Sequence, residues 1–145
     1  ISVCDSMNYL TQEADLKLVF EKAYYFLNPG GLFVFDLNTE YKFKYVLGEA
    51  TYAEEYDTYT YIWENYFDDE EYINEYHLTF FIKDEKVYHR FEETHYEKAY
   101  DTNTIVTLLE KSGFQVIDYN GDMGQSALDT AERHYYIVKK PEHIK

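Results

Sequence analysis

Within EETHYEKAY, residues 92 to 100, Glu93 and His95 are two positions apart. On a strand that spacing puts both side chains on one face. A carboxylate beside an imidazole raises its pKa and fixes its tautomer, which suits a general base. The plainer reading is a half-exposed polar strand face. Two other groups lie where apolar runs give way to polar residues: Cys4, Asp5, Ser6, Asn8 and Tyr9 after ISVC, and Asp36, Asn38 and Tyr41 after LFVF. Open α/β sheets bind ligands beyond the carboxyl ends of their strands. The same residue types also make ordinary turns and helix caps. Trp63, with Tyr61 and Tyr66, could wall a pocket or be strand core. The five histidines are scattered without metal-ligand spacing, so no metal is expected. Neither a nucleophile elbow nor a phosphate-binding glycine loop is present in the sequence. Cys4, at the end of a buried strand, reads as structural rather than nucleophilic.

These groups need elements to hold them. ISVC reads as a short buried strand, and Thr11 as the cap of a helix from Gln12 to Leu27, whose apolar residues recur every three or four positions. NPGG stops that helix. LFVF, at 32 to 35, is a continuous apolar run of the kind buried on both faces in a parallel sheet. Thr39 to Leu47 reads as a short helix. Residues 54 to 67, 72 to 82 and 87 to 99 alternate apolar with polar, which predicts a three-stranded antiparallel meander. YDTNTIVTLLEKSGF returns to helix, capped by Asp101 or Thr102 and ended by Gly113, and FQVIDY and RHYYIVKK are two further strands.

The sequence has 145 residues, 46% of them hydrophobic, enough for one domain with a core. A net charge of -15 repels phosphate backbones and anionic lipid, so neither nucleic acid nor membrane is an expected partner. The single cysteine precludes an internal disulfide and favours a reducing, cytoplasmic setting.

The ordered blocks CDSMNYL, LNPGGLFVFDLN, YIWENYFDDEE, LTFFIKDEKVYHRFEETHYEKAY, LLEKSGF and ERHYYIVKK resemble the class I S-adenosylmethionine-dependent methyltransferases. The similarity is to their C-terminal portion, from the fourth strand onward, in a small bacterial type with an antiparallel insertion after the fifth strand. It implies an α/β fold, a partial Rossmann-like sheet of strands four to seven with flanking helices. Residues 1–48 would be the C-terminal half of the cofactor-binding fold, 49–100 an antiparallel lid or substrate insertion, and 101–145 the last helix and final two strands of the main sheet.

The resemblance further implies S-adenosylmethionine as cofactor and a small-molecule methyl acceptor. Cys4, Asp5 and Ser6 would line the cofactor's methionine end, where carboxylates and aromatic faces favour a sulfonium. Asn8, Tyr9, Asp36, Asn38, Tyr41 and Trp63 would face the acceptor, with His95 and Glu93 as the catalytic pair. The family's glycine-rich loop and ribose-binding acid belong to its first three strands, which have no counterpart here. The expectation is therefore a fragment, inactive alone, whose exposed edge at Ile1 to Cys4 is covered by self-association or strand swapping. The alternatives are a non-enzymatic acidic interaction module and one subunit of a two-chain enzyme.

Overall fold

A computed structural model describes residues 1–142. It holds two sheets and two helices: α1 (Glu13–Phe26), β1 (Leu32–Asn38), β2 (Thr51–Glu55), β3 (Tyr59–Asp68), β4 (Ile73–Asp84), β5 (Val87–Lys98), α2 (Thr102–Lys111), β6 (Gln115–Gly121) and β7 (Arg133–Lys139). A π-helical turn spans Lys42–Leu47, where the short helix was expected.

The first sheet has the order β1-β7-β6, antiparallel throughout. ISVC contributes only a parallel bridge from Ser2 to Phe35. The buried fourth strand expected there is therefore reduced to one contact, and Ile1 is 93% exposed. Cys4 is also exposed, which overturns its reading as a buried structural residue. Among the described residues that bridge is the segment's sheet pairing. Cys4 and Asp5 then turn through the left-handed region, with φ of 64° and 55°.

Why the first core forms is plain from the residues. Leu16 and Phe20 of α1 are fully buried, four apart on one helical face. Glu13 and Asp15 occupy its first turn, where the helix dipole favours acids. Its N-cap is Gln12 rather than Thr11, with no side-chain cap bond. Pro29 cannot continue a helix, and Gly30 takes φ of 79° to turn the chain into β1. Phe35 of β1 stacks on its register partner Tyr136 of β7 at 5.0 Å between ring centroids. Ile105, Leu108 and Leu109 of α2 close the same core. The α2 cap is Asp101, whose carboxylate accepts the Thr104 amide at 3.0 Å.

The second sheet, β2-β3-β4-β5, is a four-stranded meander rather than a three-stranded one. The run expected from residue 54 breaks into β2 and β3, because a tight turn pairs the Tyr56 amide with the Tyr59 carbonyl at 2.8 Å. Register fixes what shares a face. Trp63, Asn65 and Phe67 of β3 lie beside Leu78, Tyr76 and Asn74 of β4, which lie beside Glu93, His95 and Glu97 of β5. At the buried end of that face, Tyr76 and Ala99 meet Phe43 and Leu47 of the π-helical turn in a second core, with Trp63 and Phe67 packed against it.

One glycine is required by its surroundings. A Cβ on Gly121 would lie 2.5 Å from Ala131 Cβ and 2.8 Å from the Ser126 carbonyl oxygen. Gly121→Ala is expected to cost about 1–3 kcal/mol through overpacking, read by urea denaturation. A loss below about 0.5 kcal/mol would mean that the following loop yields freely.

Candidate active site

The carboxyl end of β1 carries a buried polar cluster. Asp36 is 3% exposed. Its carboxylate accepts the backbone amides of Cys4 at 3.2 Å and Asp5 at 3.0 Å, and pairs with Arg133 Nη1 at 2.9 Å. Arg133 also reaches Asp5 at 3.5 Å. It is held in place by Asp122, which accepts the backbone amides of Glu132 and Arg133 at the start of β7. Asp36 therefore shapes the Cys4–Asp5 turn, leaving little of itself to face a ligand.

Two positions along, Asn38 is 1% exposed and bonds groups from three other segments. Its backbone amide donates to Asn8 Oδ1 at 2.9 Å, and Asn8 Nδ2 donates to the Asn38 and Lys98 carbonyls. Its Nδ2 donates to Asp5 at 2.9 Å and to Glu97 Oε2 at 3.1 Å. Its Oδ1 accepts Lys42 Nζ at 3.0 Å. The fully buried Asn8 thus ties the loop after ISVC to the end of β1 and to β5.

Glu97 is the acid that the sequence reading missed. It is 2% exposed, and Tyr76 Oη donates to its Oε2 at 3.4 Å. Burial pushes its carboxyl up to about 7, with the Asp5 charge adding to the shift; the bonds from Asn38 and Tyr76 oppose it. Burial likewise lowers Lys42, helped by the Arg133 charge, and raises Tyr76, helped by the Glu97 charge. Tyr9 is raised by burial and by the Glu97 charge. One signal in the sequence pointed to Glu97: it shares the strand face of Glu93 and His95 and lies two positions before the pair Ala99 and Tyr100.

The expected catalytic pair does meet, His95 Nε2 lying 3.2 Å from a Glu93 oxygen, but both side chains are substantially solvated. His95 makes an edge contact with Tyr9 at 5.8 Å between centroids, so it sits at the rim of the cluster. Ser6 bonds Ser2 at 2.8 Å on the exposed side. Trp63 is drawn into the second core, 5.2 Å from Tyr52 and 5.4 Å from Tyr76. Tyr41 packs on Tyr45 and faces a cleft of 750 Å³. Thr39, Lys98, Asp101 and His134 also line that cleft, and the first two adjoin Asn38 and Glu97 in sequence.

Comparison with known proteins shows what the chain as a whole resembles. No family model matches the chain. A Geobacillus protein is 31% identical over 139 residues, covering 94% of this chain and 56% of that protein. YqeM of Bacillus subtilis is 27% identical, covering 97% of this chain and 58% of that protein. Both are named provisionally as methyltransferases. The crystal structure of an S-adenosylmethionine-dependent methyltransferase from Clostridium acetobutylicum superposes with a TM-score of 0.83 at 33% identity, over 96% of this chain and 56% of that one. The chain is a homologue of S-adenosylmethionine-dependent methyltransferases. It spans little more than half the length of these methyltransferase relatives. The CcbJ methyltransferase of Streptomyces caelestis, at 14% identity and a TM-score of 0.74, shares the fold. Methyltransferase homology makes the carboxyl end of β1 the end to examine for chemistry. Among the described residues no helix is long and apolar enough to cross a membrane.

Proposed function

We propose that this chain is the acceptor-side portion of a cytoplasmic class I methyltransferase that moves a methyl group from S-adenosylmethionine to a small molecule. The observation that carries this reading is the cluster of Asp5, Asn8, Asp36, Asn38 and Glu97 at the carboxyl end of β1, in a homologue of such enzymes.

The residues present fit one end of the cofactor. Asp5 offers a carboxylate that is 28% exposed, and Tyr9 an aromatic face 48% exposed, both suited to a sulfonium. The six glycines form no glycine-rich cofactor loop in these 145 residues, so ribose and adenine contacts would come from elsewhere in the intact protein. Bound S-adenosylmethionine would supply an electrophilic methyl. This chain's part is positioning: methyl transfer needs in-line approach, and orientation supplies most of the rate. Asn38 and Asn8 fix the turn that carries Asp5, while β5 brings Glu97, and His95 at the rim, to the acceptor side. Residues 49–100 act as the lid over that site, and the exposed Ile1–Cys4 segment associates with another strand or copy.

Calorimetric titration with S-adenosylhomocysteine tests the division of labour. This chain is expected to give no saturable heat, and the complete gene product to bind. Saturable binding by this chain would overturn its reading as the acceptor side alone; no binding by the complete product would overturn the methyltransferase reading.

A further inference from the structure

Three carboxylates and two cations make up the cluster: Asp5, Asp36 and Glu97 against Lys42 and Arg133. Arg133 is committed to Asp36 and Asp5, and Lys42 bonds the neutral Asn38 oxygen. Glu97 is left buried with no cation in hydrogen-bond contact among the described residues. The bonds from Asn38 and Tyr76 both fall on Oε2, and Tyr9 is a further polar neighbour of this carboxylate.

A second observation lies on the same strand face. Asn74 is the register partner of Glu97 on β4 and is fully buried. Its Oδ1 and Nδ2 both lack a hydrogen-bond partner among the described residues. Buried polar atoms are rarely left unpaired, and each such atom calls for a water or a ligand group. The unpaired Asn74 amide offers an acceptor and two donor hydrogens beside the Glu97 carboxylate. Tyr9 faces the same carboxylate from the exposed side, with His95 edge-on to its ring. A carboxylate, an amide oxygen and an aromatic face together favour a cationic donor.

We propose that Glu97, with Asn74 behind it and Tyr9 at its entrance, is the subsite for a protonatable amine on the methyl acceptor. The word acceptor rests on the function proposed above; amine recognition itself does not. An alcohol or thiol offers one donor and no charge, and leaves the carboxylate uncompensated. A primary or secondary ammonium offers two or three donors and the missing positive charge.

The test uses benzylamine and benzyl alcohol, matched in shape, in NMR titrations of the protein and of Glu97→Gln. The substituted amide keeps an oxygen for Asn38 and Tyr76 but loses the charge, so a merely structural role would leave binding unmoved. Benzylamine is expected to shift Tyr9, Asn74 and His95 resonances saturably, and Glu97→Gln to bind it at least about tenfold more weakly; benzyl alcohol is expected to leave those resonances in place. Equal response to the alcohol, or an unchanged amine affinity in Glu97→Gln, overturns the inference. Should the variant not fold, the contrast between amine and alcohol decides alone. Failure of the methyltransferase reading would show differently, as no S-adenosylhomocysteine binding by the complete gene product with amine recognition intact.

Discussion

Asp36→Ala is expected to destabilise the protein by about 3–5 kcal/mol. That corresponds to a melting temperature lower by roughly 10–16 °C for a chain of this size. The cause is local and countable. The Asp36 side chain is 4% exposed, and its removal leaves Arg133, itself only 20% exposed, without its main counter-charge. The amides of Cys4 and Asp5 lose their acceptor in the same step. Breaking one side of a buried pair costs more than removing both, so Asp36→Leu combined with Arg133→Leu should recover much of the loss. Thermal denaturation of the single and double variants checks both claims. A single-variant loss below about 1 kcal/mol would show that Asp36 does not organise this end of the sheet.

Glu97 gives the second large effect, and its sign follows from where its carboxyl titrates. Its value rises from 4.5 in the unfolded chain to about 7 in the folded one. Between those values the folded state holds a proton that the unfolded state has released. Stability is therefore fully present below the unfolded value and falls as pH rises through this window, levelling off above it. The shift amounts to about 3 kcal/mol from this one group. Asp5, Tyr9, Lys42 and Tyr76 also face Glu97, while Glu93 and His95 lie further out on the same strand. Glu97→Gln removes this titration while keeping the bonds from Asn38 and Tyr76. The variant is expected to gain on the parent by about 3 kcal/mol between pH 4.5 and pH 8, measured by urea denaturation across that range. A difference that stays flat with pH would mean that Glu97 remains ionised when buried.

Particular residues show what the sequence could and could not reveal. LFVF was legible as β1 from its unbroken apolar run, but the parallel sheet that run suggested is reduced to the Ser2–Phe35 bridge: β1 pairs antiparallel with β7, and Leu32 is exposed. Asp36 and Asn38 were legible as its end, since polar residues follow where the apolar run stops. The four-stranded meander was read as three because all five residues of β2 are exposed, so burial leaves no alternating mark on its sequence. Glu97 was passed over for Glu93 and His95 because pleat alone makes the three equivalent. What distinguishes them is the second core, formed where β5 meets Phe43 and Leu47, about 50 residues away in the chain. Arg133 was hidden for the same reason: its partner Asp36 lies 97 positions earlier, and nothing local to RHYYIVKK signals the pairing. ISVC shows the reverse failure. Its composition is that of a buried strand, yet one bridge is all the sheet it finds here.

The account rests on the carboxyl end of β1 being the place where a methyl group is handed over. A crystal structure of the complete gene product with S-adenosylhomocysteine tests this most directly. The account predicts the sulfur in van der Waals contact with the Asp5–Tyr9 segment, facing Glu97 across Asn38. A sulfur placed away from that segment, with Asp5 and Glu97 turned to bulk solvent, would contradict it.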